Sequence, residues 1–191
     1  MSRSDTREQI IAAGMKCLVE KSFNAVGVQD ITDTAGVPKG SFYNHFESKE
    51  ALGAEIVARY GDNETRREIL TDPNVPPLQR LRRHFERISA RFEDSHFTRG
   101  CILGNFSAEL SGQSDLIRES LQALYARWTG DIEAAIKEAQ QSGAIANKGK
   151  SADIAAFLLD AYEGALLRAR VERTAQPFER FMKIAFHQIL T

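Results

Sequence analysis

The 191-residue chain contains little that would place it outside the cell or in a membrane. It has two cysteines, Cys17 and Cys101, which are too few for a disulfide framework. Its N-terminus lacks the apolar region of a secretory signal, and no apolar run approaches the ~20 residues of a membrane span. These absences exclude disulfide-rich secreted proteins and predict a soluble, cytoplasmic protein with no membrane partner.

The chain also lacks the motifs of the common enzyme classes. It has no Gly-rich phosphate loop, no HExxH and no nucleophile elbow. Its four histidines, His45, His84, His96 and His187, are scattered, and none is placed with carboxylates or cysteines at metal-ligand spacing. Glu109 and Glu163 could face a cavity, but a lone glutamate on a helix is usually solvated or paired. We therefore expect no catalytic residues, no metal and no cofactor.

What the chain does show is helical periodicity throughout. With five prolines, 13 glycines and 27% charged residues, its composition favours helices. We predict an all-α fold of about nine helices, with one from Thr6 to about Lys21 and one capped by Ser48 that continues toward Leu70. The later helices are expected from Leu78, over Gly100–Leu110, from Ser114 or Asp115 to before Gly143, from a Ser151 cap, and from Pro177. The predicted inward residues are Ile10, Gly14, Cys17 and Leu18 in the first helix and Leu81, Phe85, Ile88 and Phe92 in the helix from Leu78. In the helix from Ser114 or Asp115 they are Ile117, Leu121, Leu124, Trp128, Ile132 and Ile136. In the Ser151 helix they are Ile154, Phe157, Leu158, Ala161, Ala165 and Ala169.

The most informative stretch is ITDTAGVPKGSFYNHFESKEAL, residues 31–52. Gly27, with Asp30 three residues later, suits the start of a short helix, and Gly36 suits its end. Pro38 suits the first position of a second helix, in which Phe42 faces inward together with Phe46. The outward side chains are Lys39, Ser41, Tyr43, Asn44 and His45. Such groups suit phosphates and base edges, so the stretch predicts a helix-turn-helix that reads DNA in the major groove.

Net charge predicts how such a protein would bind DNA. The formal net charge of the chain is −1, and residues 1–50 hold six basic and seven acidic residues. Non-specific attraction to DNA grows with the number of phosphates neutralised, so it should be modest here. A local, directed surface must therefore carry the binding, which is typical of a specific regulator.

Residues Thr6–Leu52 resemble the DNA-binding domain of the TetR family of bacterial one-component repressors, most specifically over AGVPKGSFYNHFESKEAL. This resemblance implies a phosphate contact at Lys49. The candidate DNA-binding residues are then Gln29, Lys39, Gly40, Ser41, Tyr43, Asn44, His45 and Lys49. Two departures from the family pattern stand out. Ser22 replaces a common Gly, and Val26 and Gly27 stand where Thr or Ser is usual, which removes hydroxyls from one phosphate contact.

The same resemblance implies a division of roles along the chain. Residues 1–50 would bind DNA, and residues 51–191 would bind a ligand and dimerise. One recognition helix reads too few base pairs, so a homodimer on a palindromic operator is expected, with half-sites about 34–36 Å apart. The small residues Ala161, Ala165 and Ala169 would let helices approach closely, either across a dimer seam or within one core.

The expected mechanism is that a small-molecule inducer of unknown identity releases the repressor from its operator. Apolar residues with a few polar tips suit such a pocket. The candidates are Phe97, Cys101, Asn105, Trp128, Phe157 and Tyr162, for each of which plain core packing is the alternative. A helical interaction protein without DNA function is the remaining alternative for the whole chain.

Cys101 supports a second mechanism. It lies where a helix should begin, and the free N–H groups there, with Arg99 nearby, favour a thiolate. The segment FTRGCILGN is similar to one in the TetR-family subgroup that responds to reactive electrophiles, which includes the N-ethylmaleimide reductase repressor. By that resemblance Cys101 would be a thiol sensor. The alternative is a small buried side chain that lines a non-covalent pocket or fills the core.

Overall fold

The structure, a computed structural model, describes residues 3–61 and 64–191, with the backbone alone for 3, 4 and 64–67. Over these ranges it contains ten α-helices and a π-helical turn and no strand, which confirms the all-α prediction with a slightly higher count. In chain order they are α1 Arg3–Lys21, α2 Val28–Ala35, α3 Lys39–Tyr43, α4 Lys49–Gly61, α5 Glu64–Thr71, α6 Pro77–Asp94, α7 Ile102–Leu110, α8 Asp115–Gln141, α9 Ser151–Glu172, α10 Gln176–Ile184 and the π turn Ala185–Ile189. Within the same ranges, none of the helices is both long and apolar enough to span a bilayer.

The helices form two compact units that do not follow the order of the chain. The first unit holds α1 to α4, α7 and the part of α8 up to Leu124. The second holds α5, α6, the rest of α8, α9 and α10. The predicted division into residues 1–50 and 51–191 is a division by role and stays a prediction. What the structure adds is that α7 shares a compact unit with the helix-turn-helix.

The predicted inward faces of α1 and α8 are confirmed. In α1, Ile10, Gly14, Cys17 and Leu18 are buried. In α8 the buried residues are Ile117, Leu121, Leu124, Trp128, Ile132 and Ile136. The helix predicted to run from Ser48 toward Leu70 is described as α4 and α5, and residues 62 and 63 lie outside the described residues.

Two predictions for α9 are wrong. Phe157 was expected to face inward, but 54% of it is exposed. It lies about 100° around the helix from the buried Leu158 and so shares a face with Ala161 and Gly164. The N-cap is Lys150, and Ser151 is the first helical residue, whose Oγ donates to Glu133 Oε1 at 2.9 Å.

The inward face of α6 contains buried polar residues in addition to the predicted apolar ones. Leu81, Phe85 and Phe92 are buried as expected, while Ile88 is only half-buried. Arg80, His84 and Ser89 are buried among them. Arg80 donates to the Leu70 carbonyl at 2.8 Å and pairs with Glu138, so a single guanidinium joins α5, α6 and α8 within the second unit.

Candidate functional site

The first helix of the helix-turn-helix, α2, begins and ends at the predicted glycines. Gly27 is the N-cap of α2, and its N–H donates to Asp30 Oδ2 at 2.7 Å. Gly36 ends α2 in the left-handed conformation, with φ +68°, where a side chain would be strained. The next N–H, of Val37, donates to the Thr32 carbonyl at 3.0 Å, which sets the direction of the chain into α3.

Helix α3 is short and rests on two aromatic rings. Phe42 is fully buried and Phe46 is 5% exposed, as predicted, with ring centroids 5.7 Å apart. Pro38 is the N-cap, one residue before the first helical position predicted for it. The helix ends at Tyr43 with Asn44 as C-cap, so His45 follows the helix instead of lying on its surface.

The candidate DNA-binding residues lie on α2, on α3, at the two positions after α3 and at the start of α4, all within the first unit. Gln29, Lys39, Gly40, Tyr43 and Asn44 are exposed, whereas Ser41, His45 and Lys49 are half-buried. Tyr43 is 57% exposed although the adjacent Phe42 is buried, so its phenol is available to a partner. Gln29 Nε2 donates to Asp33 Oδ1 at 2.7 Å, which holds that amide against its own helix.

Lys49 has an internal role that the sequence did not predict. Its ammonium donates to the carbonyl oxygens of Phe23 at 3.0 Å and Val26 at 2.8 Å. It also lies 4.3 Å from the centroid of the Phe23 ring, a cation–π geometry. The two hydrogen bonds use two of the three ammonium hydrogens. We call residues 22–27, between α1 and α2, the α1–α2 turn; Lys49 ties the start of α4 to it.

An ion-pair cluster joins α1 to α4. Arg59 pairs with both Glu8 and Glu55, and Arg7 also reaches Glu55. The hydrogen bond from Arg59 lowers the pKa of the exposed Glu8. Burial acts to raise the pKa of Glu55, but the hydrogen bonds from Arg59 and Arg7 outweigh it, so the net shift is also downward. The carboxylates raise the pKa of Arg59 in return, so the cluster is ionised at neutral pH.

The six residues predicted to contact a ligand are divided between the two units. Cys101 and Asn105 belong to the first, and Phe97, Trp128, Phe157 and Tyr162 to the second. The polar atoms of two of them are engaged within the second unit. Trp128 Nε1 donates to His84 Nε2 at 3.0 Å, and Tyr162 Oη donates to the Phe85 carbonyl at 3.1 Å.

Cys101 is the N-cap of α7, which confirms that a helix begins there. Its side chain is buried, with 5% exposed. The Sγ atom lies 3.6 Å from Tyr60 Oη of α4, within the first unit. At this distance the thiol and the phenol can share a weak hydrogen bond, in which either group could be the donor.

An apolar groove of about 270 Å³ lies between α9 and α10. Its lining comprises Phe157, Leu158, Ala161, Gly164, Ala165, Arg168, Pro177, Arg180, Phe181, Ile184, Ala185 and Ile189. A Cβ added at Gly164 would meet no atom within 4 Å, so another helix could approach its backbone closely. Of the predicted small-residue ladder, Ala161 and Ala165 line the groove, whereas Ala169 is fully buried in the core.

Comparison with known proteins accounts for nearly the whole chain. Residues 10–56 match "Bacterial regulatory proteins, tetR family", and residues 77–185 match "Tetracyclin repressor-like, C-terminal domain". The HTH-type transcriptional repressor DhaR of Mycobacterium sp. (strain GP1) is 36% identical over 100% of this chain and 95% of its own. The HTH-type transcriptional repressor NemR of Escherichia coli (strain K12) is 26% identical over 92% of this chain and 89% of its own. A crystal structure of the regulatory protein TetR from Rhodobacter sphaeroides superposes with a TM-score of 0.86 at 30% identity, covering 93% of this chain and 95% of its own.

Proposed function

Because the chain belongs to the TetR family of bacterial regulatory proteins, we propose that it represses transcription from a palindromic operator until a small-molecule inducer releases it. Family membership makes it a DNA-binding transcriptional regulator with a ligand-binding C-terminal region, not an enzyme. Repression is supported by the two relatives named above, which are both described as repressors. Such a regulator works where the DNA is, which for a bacterial protein is the cytoplasm.

The observation that carries this proposal is the surface of α3. An exposed phenol, Tyr43, stands beside the exposed Lys39 and Asn44 on a helix anchored by buried Phe42. We propose that Asn44 reads base edges through its amide and that Lys39 neutralises a phosphate. Among the remaining candidates, the proposed donors to the DNA backbone or to bases are Ser41, Tyr43 and His45. Gln29 and Gly40 would lie at the margins of the protein–DNA contact. Lys49 would contact a further phosphate.

A homodimer would place two such surfaces on one operator. We propose that the groove between α9 and α10 forms its seam, because Phe157 and Ile184 are 54% and 40% exposed there. Exposed apolar patches of this kind mark interaction sites. Gly164 and Ala161 would allow the backbones of partner helices to approach closely.

Induction requires only that the inducer bind more tightly to a conformation with low operator affinity than to the conformation that binds the operator. A ~100-fold fall in operator affinity corresponds to about 2.7 kcal/mol, and linkage requires that DNA weaken inducer binding by the same factor. Of the six residues predicted to contact the inducer, Phe97, Trp128 and Tyr162 lie in the second unit and remain the proposed contacts. Phe157 lies on the groove assigned to the dimer seam, and Cys101 and Asn105 belong to the first unit, so these three are not carried into the proposed inducer site.

A thiol sensor is the second candidate, and one contact favours it. Cys101 Sγ lies at the N-terminus of α7 within 3.6 Å of Tyr60 Oη. An adduct on this buried sulfur would force α7 and α4 apart. The similarity to NemR, 26% identical, adds to this candidate.

The test of the proposed function is selection of duplex DNA by the purified protein, from a random library and from the region flanking its gene. Wild type should retain a palindromic sequence. Tyr43→Ala and Lys39→Ala should bind it more weakly, while Lys137→Ala, an exposed lysine on α8, should bind it as wild type does. Failure of wild type to enrich any sequence would overturn the proposal.

A further inference from the structure

The α1–α2 turn is held by two helices that are distant from it in sequence. From α4, Lys49 donates to its carbonyl groups, as described above. From α7, Glu109 Oε2 accepts a hydrogen bond from the backbone N–H of Asn24 at 3.0 Å, across 85 residues of chain. The ring of Phe106, one turn earlier in α7, packs edge-on against Phe23 with centroids 5.5 Å apart.

Close packing surrounds these contacts. A Cβ built on Gly53 of α4 would lie 3.0 Å from the Phe23 ring, 3.2 Å from Ile117 and 3.6 Å from the Phe106 ring. Such distances show that the Gly53 backbone packs closely against Phe23, Ile117 and Phe106. We therefore expect a shift of α7 to be passed on to the turn through Phe106 and Phe23.

The turn itself has little regular structure to fix it. It leads directly into Gly27, the N-cap of α2, and so sets where the helix-turn-helix starts. Ser22 at its beginning has φ +88°, a conformation that disfavours a side chain. Apart from the backbone bonds of Ser22 N–H to the Leu18 carbonyl and Val26 N–H to the Phe23 carbonyl, both 3.3 Å, the contacts from α4 and α7 hold the turn.

From these contacts we infer that Glu109 is a positioning residue for DNA binding, which acts by holding the α1–α2 turn from α7. The inference rests on the proposed function, since it concerns how the operator is read. Helix α7 lies in the region that matches the C-terminal domain, residues 77–185. The inference therefore gives this region a direct part in positioning the helix-turn-helix. Because Cys101 is the N-cap of α7, a change at that end of the helix would reach the helix-turn-helix through Phe106 and Glu109.

Two substitutions at Glu109 separate positioning from electrostatics. Glu109→Gln keeps an oxygen that accepts from the Asn24 N–H, whereas Glu109→Ala removes it. Both remove one negative charge, so if Glu109 acted only through charge, both variants would bind DNA more tightly. Positioning predicts instead that only Glu109→Ala weakens binding.

The experiment measures fluorescence anisotropy of the selected operator duplex at several salt concentrations, together with amide exchange of residues 22–27. Glu109→Ala should raise Kd roughly three- to tenfold, the loss of about one hydrogen bond, with an unchanged salt slope and faster exchange in the turn. Glu109→Gln should behave as wild type in all three respects. Glu119→Ala, an exposed glutamate on α8, is the matched control and should change none of them.

Equal effects of the Ala and Gln substitutions, or operator affinity unaltered by either, would overturn the role of Glu109. Failure of wild type to bind any operator would instead overturn the proposed function. In that case the exchange measurement still decides whether Glu109 holds the α1–α2 turn, because it reports the Asn24–Glu109 contact without DNA. Thermal unfolding of each variant excludes global loss of structure as the cause.

Discussion

Lys49, the first residue of α4, places its ammonium nitrogen 2.8 Å from the carbonyl oxygen of Val26 in the α1–α2 turn. A second bond to Phe23 and the stacking on its ring make this side chain part of the frame that supports the helix-turn-helix. The residue that the family resemblance identifies as a phosphate contact thus also has a structural role. Its substitution should affect stability and DNA binding together.

We predict that Lys49→Met lowers the free energy of unfolding by about 1–2 kcal/mol, because two carbonyl groups lose their donor and the Phe23 ring loses its cation. Operator affinity should fall as well, and the salt slope should decrease by about one if the third hydrogen reaches a phosphate. Urea unfolding and salt-dependent binding measure the two effects. Lys39→Met, at an exposed position, should lower affinity alone; an unchanged unfolding curve for Lys49→Met would refute its structural role.

Ser22→Gly should stabilise the protein, because Ser22 has φ +88°, where glycine is free of steric strain. Relief of the strain exceeds the entropy that glycine adds to the unfolded chain, for a net gain of up to about 1 kcal/mol. Ser111→Gly is the control: with φ −61° at the end of α7 it has no such strain, so glycine should destabilise there. Equal urea midpoints for Ser22→Gly and wild type would contradict the prediction.

The ion-pair cluster predicts a dependence of stability on pH. The pKa values of Glu8 and Glu55 are lowered in the folded protein, so their contribution is present above 4.5 and is lost as pH falls through the lowered values. Arg59→Met should therefore cost most near neutral pH and progressively less in acid. Thermal unfolding as a function of pH checks this, with Arg118→Met, which breaks an exposed pair within α8, as the control. A cost that is independent of pH would show that Arg59 acts through packing alone.

Phe157→Glu should break the dimer. The side chain is 54% exposed on the groove between α9 and α10, so a carboxylate is tolerated in the monomer but not inside an apolar seam. Sedimentation at micromolar concentration should show a dimer for wild type and a monomer for the variant. Leu116→Glu, on α8 and 48% exposed, should remain dimeric. A dimeric Phe157→Glu protein would place the seam elsewhere.

Reversible induction predicts that N-ethylmaleimide leaves the protein on its operator, because Cys101 is only 5% exposed and Cys17 only 7%. Gel shifts with and without the reagent measure release, and mass spectrometry counts the adducts. Release by wild type but not by Cys101→Ser would identify the thiol sensor instead. Release that persists in Cys101→Ser and disappears in Cys17→Ser would identify Cys17, in the core of the first unit, as the reactive thiol.

Much of the helix-turn-helix could be predicted because the sequence features that specify it, its caps and the spacing of its apolar residues, are local. Gly27, Gly36 and the spacing of Phe42 and Phe46 each act within one or two helical turns, and the structure confirms all of them. The single-residue differences at Pro38 and Ser151 also have a local cause. Both residues suit either side of a helix start, so composition cannot choose between the two positions.

The periodicity of apolar residues predicted burial less well where polar residues lie on the inward face of a helix or apolar residues lie on its outward face. Phe157 fitted the apolar pattern of α9, yet it lies on the groove because neighbouring positions differ by about 100° around the helix. Arg80, His84 and Ser89 are polar, yet they are buried because Leu70, Trp128 and Tyr162 supply their hydrogen-bond partners. Neither arrangement has a sequence signal without the partner in place.

Sequence alone determined the all-helical class, the helix-turn-helix and the exposure of Lys39, Tyr43 and Asn44, since these depend on caps and on side chains three or four positions apart. Tertiary structure decided which distant helices support that motif. Glu109 meets Asn24 across 85 residues and Lys49 meets Val26 across 23, and it is the packing of α4 and α7 against the α1–α2 turn that brings these atoms together. A hydrogen bond between residues so far apart follows no periodicity along the chain, because its geometry is set by how whole helices pack and not by the residues on either side.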